Sequence, residues 1–196
     1  RDGHLISESM RSRGGILVNH EGTRFCNELL TRDVVSQHVL KQSGGEAYLV
    51  YDQSIFDSNK LSRGYFEHAY AVKGDTLEDL AAKLKMPVGT LKATFEAYWK
   101  AYDTKKDEAF GRPEMVIRMD KAPYYAALIS PGIHHTMGGV TINPKAEVQN
   151  KAGASIPGLY AAGEVTGGVH GGNRIGGNAV ADIITFGRIA GTNAAS

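Results

Sequence analysis

Cysteine is almost missing from this chain: there is one, Cys26. That excludes an internal disulfide framework and a Cys-rich zinc or iron–sulfur site, and no haem-attachment Cys-x-x-Cys-His occurs. No run approaches the ~20 apolar residues that a membrane-spanning helix needs. The first residues do not read as a signal peptide. Neither charge sign is in excess, with 22 Lys+Arg against 21 Asp+Glu and a net charge of +1. That balance argues against a chain built to coat nucleic acid or an anionic membrane. Repeats and low-complexity tracts are also missing. What remains is an ordinary composition, 42 % hydrophobic over 196 residues, enough for a core in one domain or two small ones. The opening Arg1-Asp2-Gly3-His4-Leu5 does not read as a translation start, and the chain is expected to be a piece of something longer.

Glycine is the residue in excess. Of 24 glycines, 14 lie between Gly132 and Gly191, and the chain divides into two textures. Up to about residue 116 the pattern is mixed. Gly15–Asn19 and Ala47–Tyr51 are rich in strand formers. Thr31–Lys41 suits a helix. A helix capped by Asp75 or Thr76 places Leu77, Leu80, Ala81 and Leu84 on one face. A second helix has Pro87 in its first turn and Val88, Leu91, Phe95, Tyr98, Trp99 and Tyr102 as its apolar stripe. From 117 onward, a strand-like run Tyr124–Ile129 leads into Gly132–Val140. A hairpin over Val140–Val148 and a short strand ending in Gly163-Glu164 follow. A Gly-rich loop, Gly167–Gly177, opens a closing helix from about Asn178 to Ala190, with Asn178 as N-cap and Ile183, Ile184, Phe186 and Ile189 as its buried side.

Each candidate site has a bland alternative. The helix pair at 75–102 has the spacing of a helix-turn-helix, which would make the chain a nucleic-acid-binding module. Between Asp75 and Glu108, however, seven acids accompany six lysines, whereas a recognition helix sits in a basic field. A packed helical hairpin is the alternative. The Gly-rich loop before a helix makes an anion-friendly cradle, because free N–H groups and the helix dipole both point outward there. It is neither a Gly-Lys-Ser/Thr phosphate loop nor a Gly-x-Gly-x-x-Gly after a strand, and it can be a tight loop with no ligand. His134 and His135 lack a third ligand at metal spacing, so a metal site is not expected. Arg174, flanked by glycines, can present its fork to a carboxylate or phosphate, or form a surface ion pair. Glu8 and Arg11 are spaced as helix neighbours, and Arg32 follows Thr31 at a helix start. Taken singly, each reads as an ion pair.

Together, Gly132-Ile-His-His-Thr-Met-Gly-Gly-Val140, Gly158-Leu-Tyr-Ala-Ala-Gly-Glu164, Gly167-Gly-Val-His-Gly-Gly-Asn-Arg-Ile-Gly-Gly-Asn-Ala179 and Asp182-Ile-Ile-Thr-Phe-Gly-Arg-Ile-Ala-Gly191 resemble the fumarate reductase / succinate dehydrogenase flavoprotein family. The likeness is to the soluble flavocytochrome c type and its urocanate reductase cousins, and it covers nearly the whole chain. The resemblance implies a fold that is α/β and α+β. Residues 1–116 would form a mobile capping, or clamp, domain. Residues 117–196 would form the C-terminal part of a doubly wound FAD-binding domain, whose N-terminal dinucleotide-binding half is absent from this sequence.

The resemblance also implies roles. Arg32, in Thr31-Arg32-Asp33, matches the arginine that delivers a proton to the substrate, and Glu8 and Arg11 match the relay that returns it. Ser7 stands where a threonine hydroxyl near the substrate is expected. His134 and Arg174 match the pair that grips a substrate carboxylate, with Gly177 close by. His135, Glu164, Ala179 and Val180 match FAD contacts. The implied activity is FAD-dependent reduction of the C=C bond of an unsaturated carboxylate, fumarate to succinate or another enoate such as urocanate, by hydride from flavin N5 and a proton from Arg32. The implied partners are a small dicarboxylate and an electron-donor domain or protein, haem among the options, in a periplasmic setting with a cytoplasmic one as the alternative. The competing readings are a non-catalytic fragment, since half of the cofactor site is missing, and the helix-turn-helix module.

Overall fold

In the computed structural model of the chain, which describes residues 3–196, the β-branched and aromatic run at 47–52 becomes a central strand. Four antiparallel strands form one sheet in the order β1 (Ile16–Val18), β2 (Ala47–Asp52), β4 (Tyr124–Ile129), β3 (Ala71–Gly74). β2 and β4 are the inner pair, and their side chains are largely buried on both faces, as befits strands covered on both sides. Small residues of β4 lie opposite large ones of β2, Ala126 beside Val50 and Ala127 beside Leu49. Tyr51 and Tyr125 stack across the ladder with ring centroids 5.4 Å apart, and Phe56 stacks on the other face of Tyr125 at 4.5 Å. Such offset aromatic pairs add to the apolar area they bury.

Helices α5 (Leu77–Leu84) and α6 (Val88–Thr104) pack their apolar faces into the core. Leu77, Leu80 and Ala81 are buried from α5, and Leu91, Phe95, Tyr98 and Ala101 from α6. Thr76 caps α5 by accepting from Asp79 N at 3.2 Å. Pro87 sits one position earlier than expected, as the N-cap of α6. Lys92 at the start of α6 is held by Glu78 of α5 at 2.8 Å, and that pairing holds the Glu78 carboxyl down at about 2. The helical hairpin, and not the recognition pair, is the arrangement these helices adopt: their apolar stripes are used by the core.

The segment 53–74 has no clear period in the sequence, yet it folds as α3 (Gln53–Ser58), α4 (Lys60–Glu67) and β3. Side-chain caps set both helices, with Asp52 accepting from Ile55 N at 3.1 Å and Asn59 from Leu61 N at 3.0 Å. The division between compact units falls after Gly132, not at 116/117. The reason is β4, which completes the sheet of the first unit.

Beneath α1 (Ser9–Ser12) and β1 lies a buried ionic cluster. Glu28 is 1 % exposed and Arg112 2 % exposed. Glu28 accepts from Arg24 through both carboxylate oxygens at 2.8 and 2.9 Å, from Arg112 at 2.9 Å and from Leu17 N at 3.1 Å. Arg24 also pairs with Asp107 at 2.8 Å. Buried charges persist only when paired and fully hydrogen-bonded, and this cluster meets that condition.

The second unit, Ile133–Ser196, is built differently. β5 (Val140–Thr141) pairs in parallel with β8 (Thr166–Gly167), and β6 (Glu147–Gln149) pairs antiparallel with β7 (Ser155–Tyr160). The expected hairpin over Val140–Val148 is reduced to one bridge, Ile142 to Val148, because both flanking strands pair elsewhere. Helix α7 runs Asn178–Ala194, and its N-cap is Gly177 at φ 88°, not Asn178. The buried side expected for α7 is a further difference: Ile183 is 50 % and Ile184 64 % exposed, while Asp182 is buried. Phe186 and Ile189, the other residues of that side, are partly buried.

Two outcomes follow for the first unit. Leu80 is fully buried, so Leu80→Ala is expected to cost about 2–5 kcal/mol in chemical denaturation. Burial would raise the Asp107 carboxyl, but hydrogen bonding and charge from Arg24 outweigh it and leave the pKa lowered. A carboxyl depressed in the folded state contributes stability that is present above its unfolded pKa of about 4 and is lost as pH falls through the folded value. Asp107→Asn is therefore expected to lower stability at pH 7 by about 1–3 kcal/mol and to flatten its loss on acidification, as read by denaturant midpoints between neutral and acid pH.

Candidate active site

The candidate residues fall in both units. In the first, Glu8 is the N-cap of α1, and its carbonyl accepts from Arg11 N at 3.0 Å and Ser12 N at 3.2 Å. Arg32 opens α2 (Arg32–Leu40) directly after the N-cap Thr31. A guanidinium nitrogen of Arg32 stands 3.6 Å from Glu8 Oε1, with both side chains part-exposed. Arg11 lies within the field of both. Burial lowers its pKa most, the Glu8 charge raises it, and Arg32 lowers it further. Residues 8, 11 and 32 thus form one cluster, although 21 positions separate Arg11 from Arg32 in sequence. Ser7 is part of its frame: Ser7 N donates to the Tyr65 hydroxyl at 2.8 Å, and Ser7 Oγ accepts from Ser9 N at 3.2 Å.

Sequence reasoning missed the supports of this cluster. Tyr65 and Asn59 hold its front edge, the latter donating to Ser9 Oγ at 3.3 Å. Arg112 and Glu28 hold its back. Arg112 donates to Arg11 O at 2.7 Å and Gly15 O at 3.1 Å, and Arg11 donates to Glu28 O at 3.1 Å. A signal was present. Arg24 and Glu28 are opposite charges embedded among Phe25, Cys26, Leu29 and Leu30, a setting in which an ion pair has to be buried.

In the second unit, Glu164 accepts from Thr136 N at 2.8 Å, and that backbone donor is the main reason its carboxyl lies below the ordinary range. This ties the end of the His134–His135 segment to the short helical turn Gly163–Val165. His134 is exposed. The ring of His135 stands edge-on to His170 at 5.5 Å. His170 Nε2 is 3.0 Å from Asp182 Oδ2, so the Gly-rich loop is pinned to α7. Arg174 is 5 % exposed and donates to the neighbouring Ile175 carbonyl at 3.1 Å. Val180 N, at the start of α7, donates to Gly177 O at 2.9 Å, so this N–H is already engaged within the helix start. Gly139 and Gly167 pass so close that a Cβ at Gly139 would run into the Val165 carbonyl.

Residues 1–180 match the FAD binding domain family. A probable fumarate reductase of Shewanella frigidimarina is 50 % identical over 97 % of this chain and 32 % of its own length. An NADH:fumarate oxidoreductase of Klebsiella pneumoniae is 48 % identical over 98 % of this chain and 21 % of its own. The open form of a flavocytochrome c3 fumarate reductase superposes with a TM-score of 0.78 at 50 % identity, covering 97 % of this chain and 34 % of that one. The chain spans about a third or less of the length of these relatives.

The residues present fit FAD. The loop–helix junction 167–178 offers glycine backbone without Cβ obstruction at Gly168, Gly171, Gly172 and Gly177. The dipole of a 17-residue helix begins there, an arrangement suited to anionic ligand edges. Two buried polar atoms, His135 Nδ1 and Asp182 Oδ1, have no hydrogen-bond partner among the described residues, as expected beside a site that a polar group completes. The chain belongs to the FAD-binding domain family, and its cofactor is FAD.

Proposed function

We propose that this chain supplies the clamp and the C-terminal cofactor-side segment of a flavin-dependent reductase that converts fumarate to succinate. The observation that carries the reading is the Arg32–Glu8 ion pair at the part-exposed edge of the first unit, with Arg11 close enough to feel the charge of both. The identity of about half of this chain to relatives named fumarate reductases supports it. In this reading residues 1–116 are the clamp and residues 117–196 belong to a doubly wound FAD domain.

Reduction of the double bond adds a hydride to one carbon and a proton to the other. The bound FAD, once reduced by the electron donor, would supply the hydride. His134 and Arg174 hold a substrate carboxylate, with Gly177 beside them, and draw electron density from the double bond, an effect that is strong in a dry pocket. The Ser7 hydroxyl helps to orient the substrate. Arg32 gives its proton to the second carbon. Arginine is a reluctant acid because its pKa exceeds about 12, so the transfer has to be concerted with bond formation and followed at once by reprotonation. Glu8, 3.6 Å from Arg32, hands on that proton, and Arg11, its pKa lowered by burial, feeds Glu8. Glu164, His135, Ala179 and Val180 hold the cofactor side. Electrons reach the site from a donor domain or partner, with haem as one such carrier. No described helix is long and apolar enough to cross a membrane, and a periplasmic site of action is part of the proposal.

The test is fumarate-dependent oxidation of a reduced dye by the full-length protein. Arg32→Ala is expected to lower kcat by at least about 100-fold, the scale of general-acid catalysis, with bound FAD unchanged. Retained turnover would remove Arg32 as the proton donor. A panel with urocanate alongside fumarate separates the two substrates, and faster turnover of urocanate would reassign the reaction to the other enoate.

A further inference from the structure

The relay residues come from two chain segments that share no secondary-structure element. Arg11 lies on the single turn α1, a four-residue helix with no side-chain cap bond, and Glu8 is its N-cap. Arg32 begins α2 after an irregular stretch. An isolated turn of this length does not hold its own geometry in water, so something else has to fix it. The buried cluster beneath does so by direct contact. Arg112, 2 % exposed, uses Nη2 for Arg11 O and Nη1 for Gly15 O and Glu28 Oε2, while Nε donates to Glu114 O. Glu28, in turn, receives Arg11 Nη1 at its own carbonyl and Leu17 N at its carboxylate. Glu28 lies four residues before Arg32 in the same segment. One guanidinium and one carboxylate therefore tie the end of α1, the start of β1 and the run leading to Arg32 to a single point.

We propose that Arg112 and Glu28 are positioning residues of the proton relay: they touch neither substrate nor cofactor, but hold Arg11 and Glu8 in register with Arg32. The proposal rests on the reading of these three residues as a relay. Lysine cannot replace Arg112, since an ammonium lacks the planar fork that reaches three backbone carbonyls and a carboxylate together.

The experiment uses the full-length, FAD-loaded protein with Arg112→Lys and Glu28→Gln. Phe95→Leu serves as a control that truncates the core at α6, away from the relay. Two readouts are taken: kcat and KM for fumarate, and amide hydrogen exchange in the peptide spanning residues 8–15. Arg112→Lys is expected to lower kcat at least about tenfold, because small misplacements of reacting groups are costly, with KM within about twofold. Exchange in 8–15 is expected to quicken while β2 stays protected. Glu28→Gln, which keeps the shape of the side chain, is expected to give the same split and stands in if Arg112→Lys does not fold. Phe95→Leu is expected to lower the melting temperature and leave kcat unchanged. An unchanged kcat in a folded Arg112→Lys variant would overturn the proposal. So would a fall in kcat with no faster exchange at 8–15, or a loss in Phe95→Leu that parallels its loss of stability. If the unsubstituted protein does not reduce fumarate, the functional reading fails on its own, and the exchange data still decide whether Arg112 holds the turn.

Discussion

The carboxylate of Glu28 is the point on which the first unit turns. It is buried, and a buried carboxylate costs several kcal/mol unless every lone pair is used. Arg24 and Arg112 approach it from two sides, and Leu17 N completes the set. Each arginine then spends its remaining donors elsewhere: Arg24 on Asp107, Arg112 on the backbone of α1 and its exit. The cluster therefore joins pieces of chain up to 101 residues apart, such as Arg11 and Arg112. The part-exposed edge with Glu8, Arg11 and Arg32 sits on this support, which explains how a four-residue turn and its N-cap hold their place.

The second unit follows a different economy. Its strands are short and several of its contacts are close backbone approaches, such as Gly139 against Val165 and Thr166. Glycine is required there because any Cβ would collide. Side chains do the remaining work in pairs: Thr136 with Glu164, and His170 with Asp182. The apolar residues of α7, Ile183 and Ile184, stay exposed.

Much of this was legible in the residues, for definite reasons. Ala47–Tyr51 and Tyr124–Ile129 are dense in strand formers, and both became inner strands. Thr76 and the Leu77, Leu80, Ala81 spacing announced α5. The Gly-rich ordering from 132 to 191 announced the family. What stayed hidden was set by tertiary pairing. The boundary at Gly132 depends on β4 joining a sheet whose other members lie 50 or more residues earlier. The fate of Val140–Val148 depends on Thr166 and Ser155 arriving as partners. Ile183 and Ile184 have the spacing of a buried face, but burial needs a surface to bury against. At the site, Glu8, Arg11 and Arg32 were identifiable as a set through the resemblance. Of their support, the Arg24–Glu28 pair carried a local signal, but Arg112 did not, because it reaches Arg11 across 101 positions.

The measurement that bears most directly on the central claim is a single turnover. The full-length protein is loaded with FAD, reduced anaerobically, freed of excess reductant and mixed with fumarate while the visible flavin absorption is followed. The account predicts that the oxidised flavin band returns and one equivalent of succinate forms. A band that stays bleached, with no succinate, would contradict it.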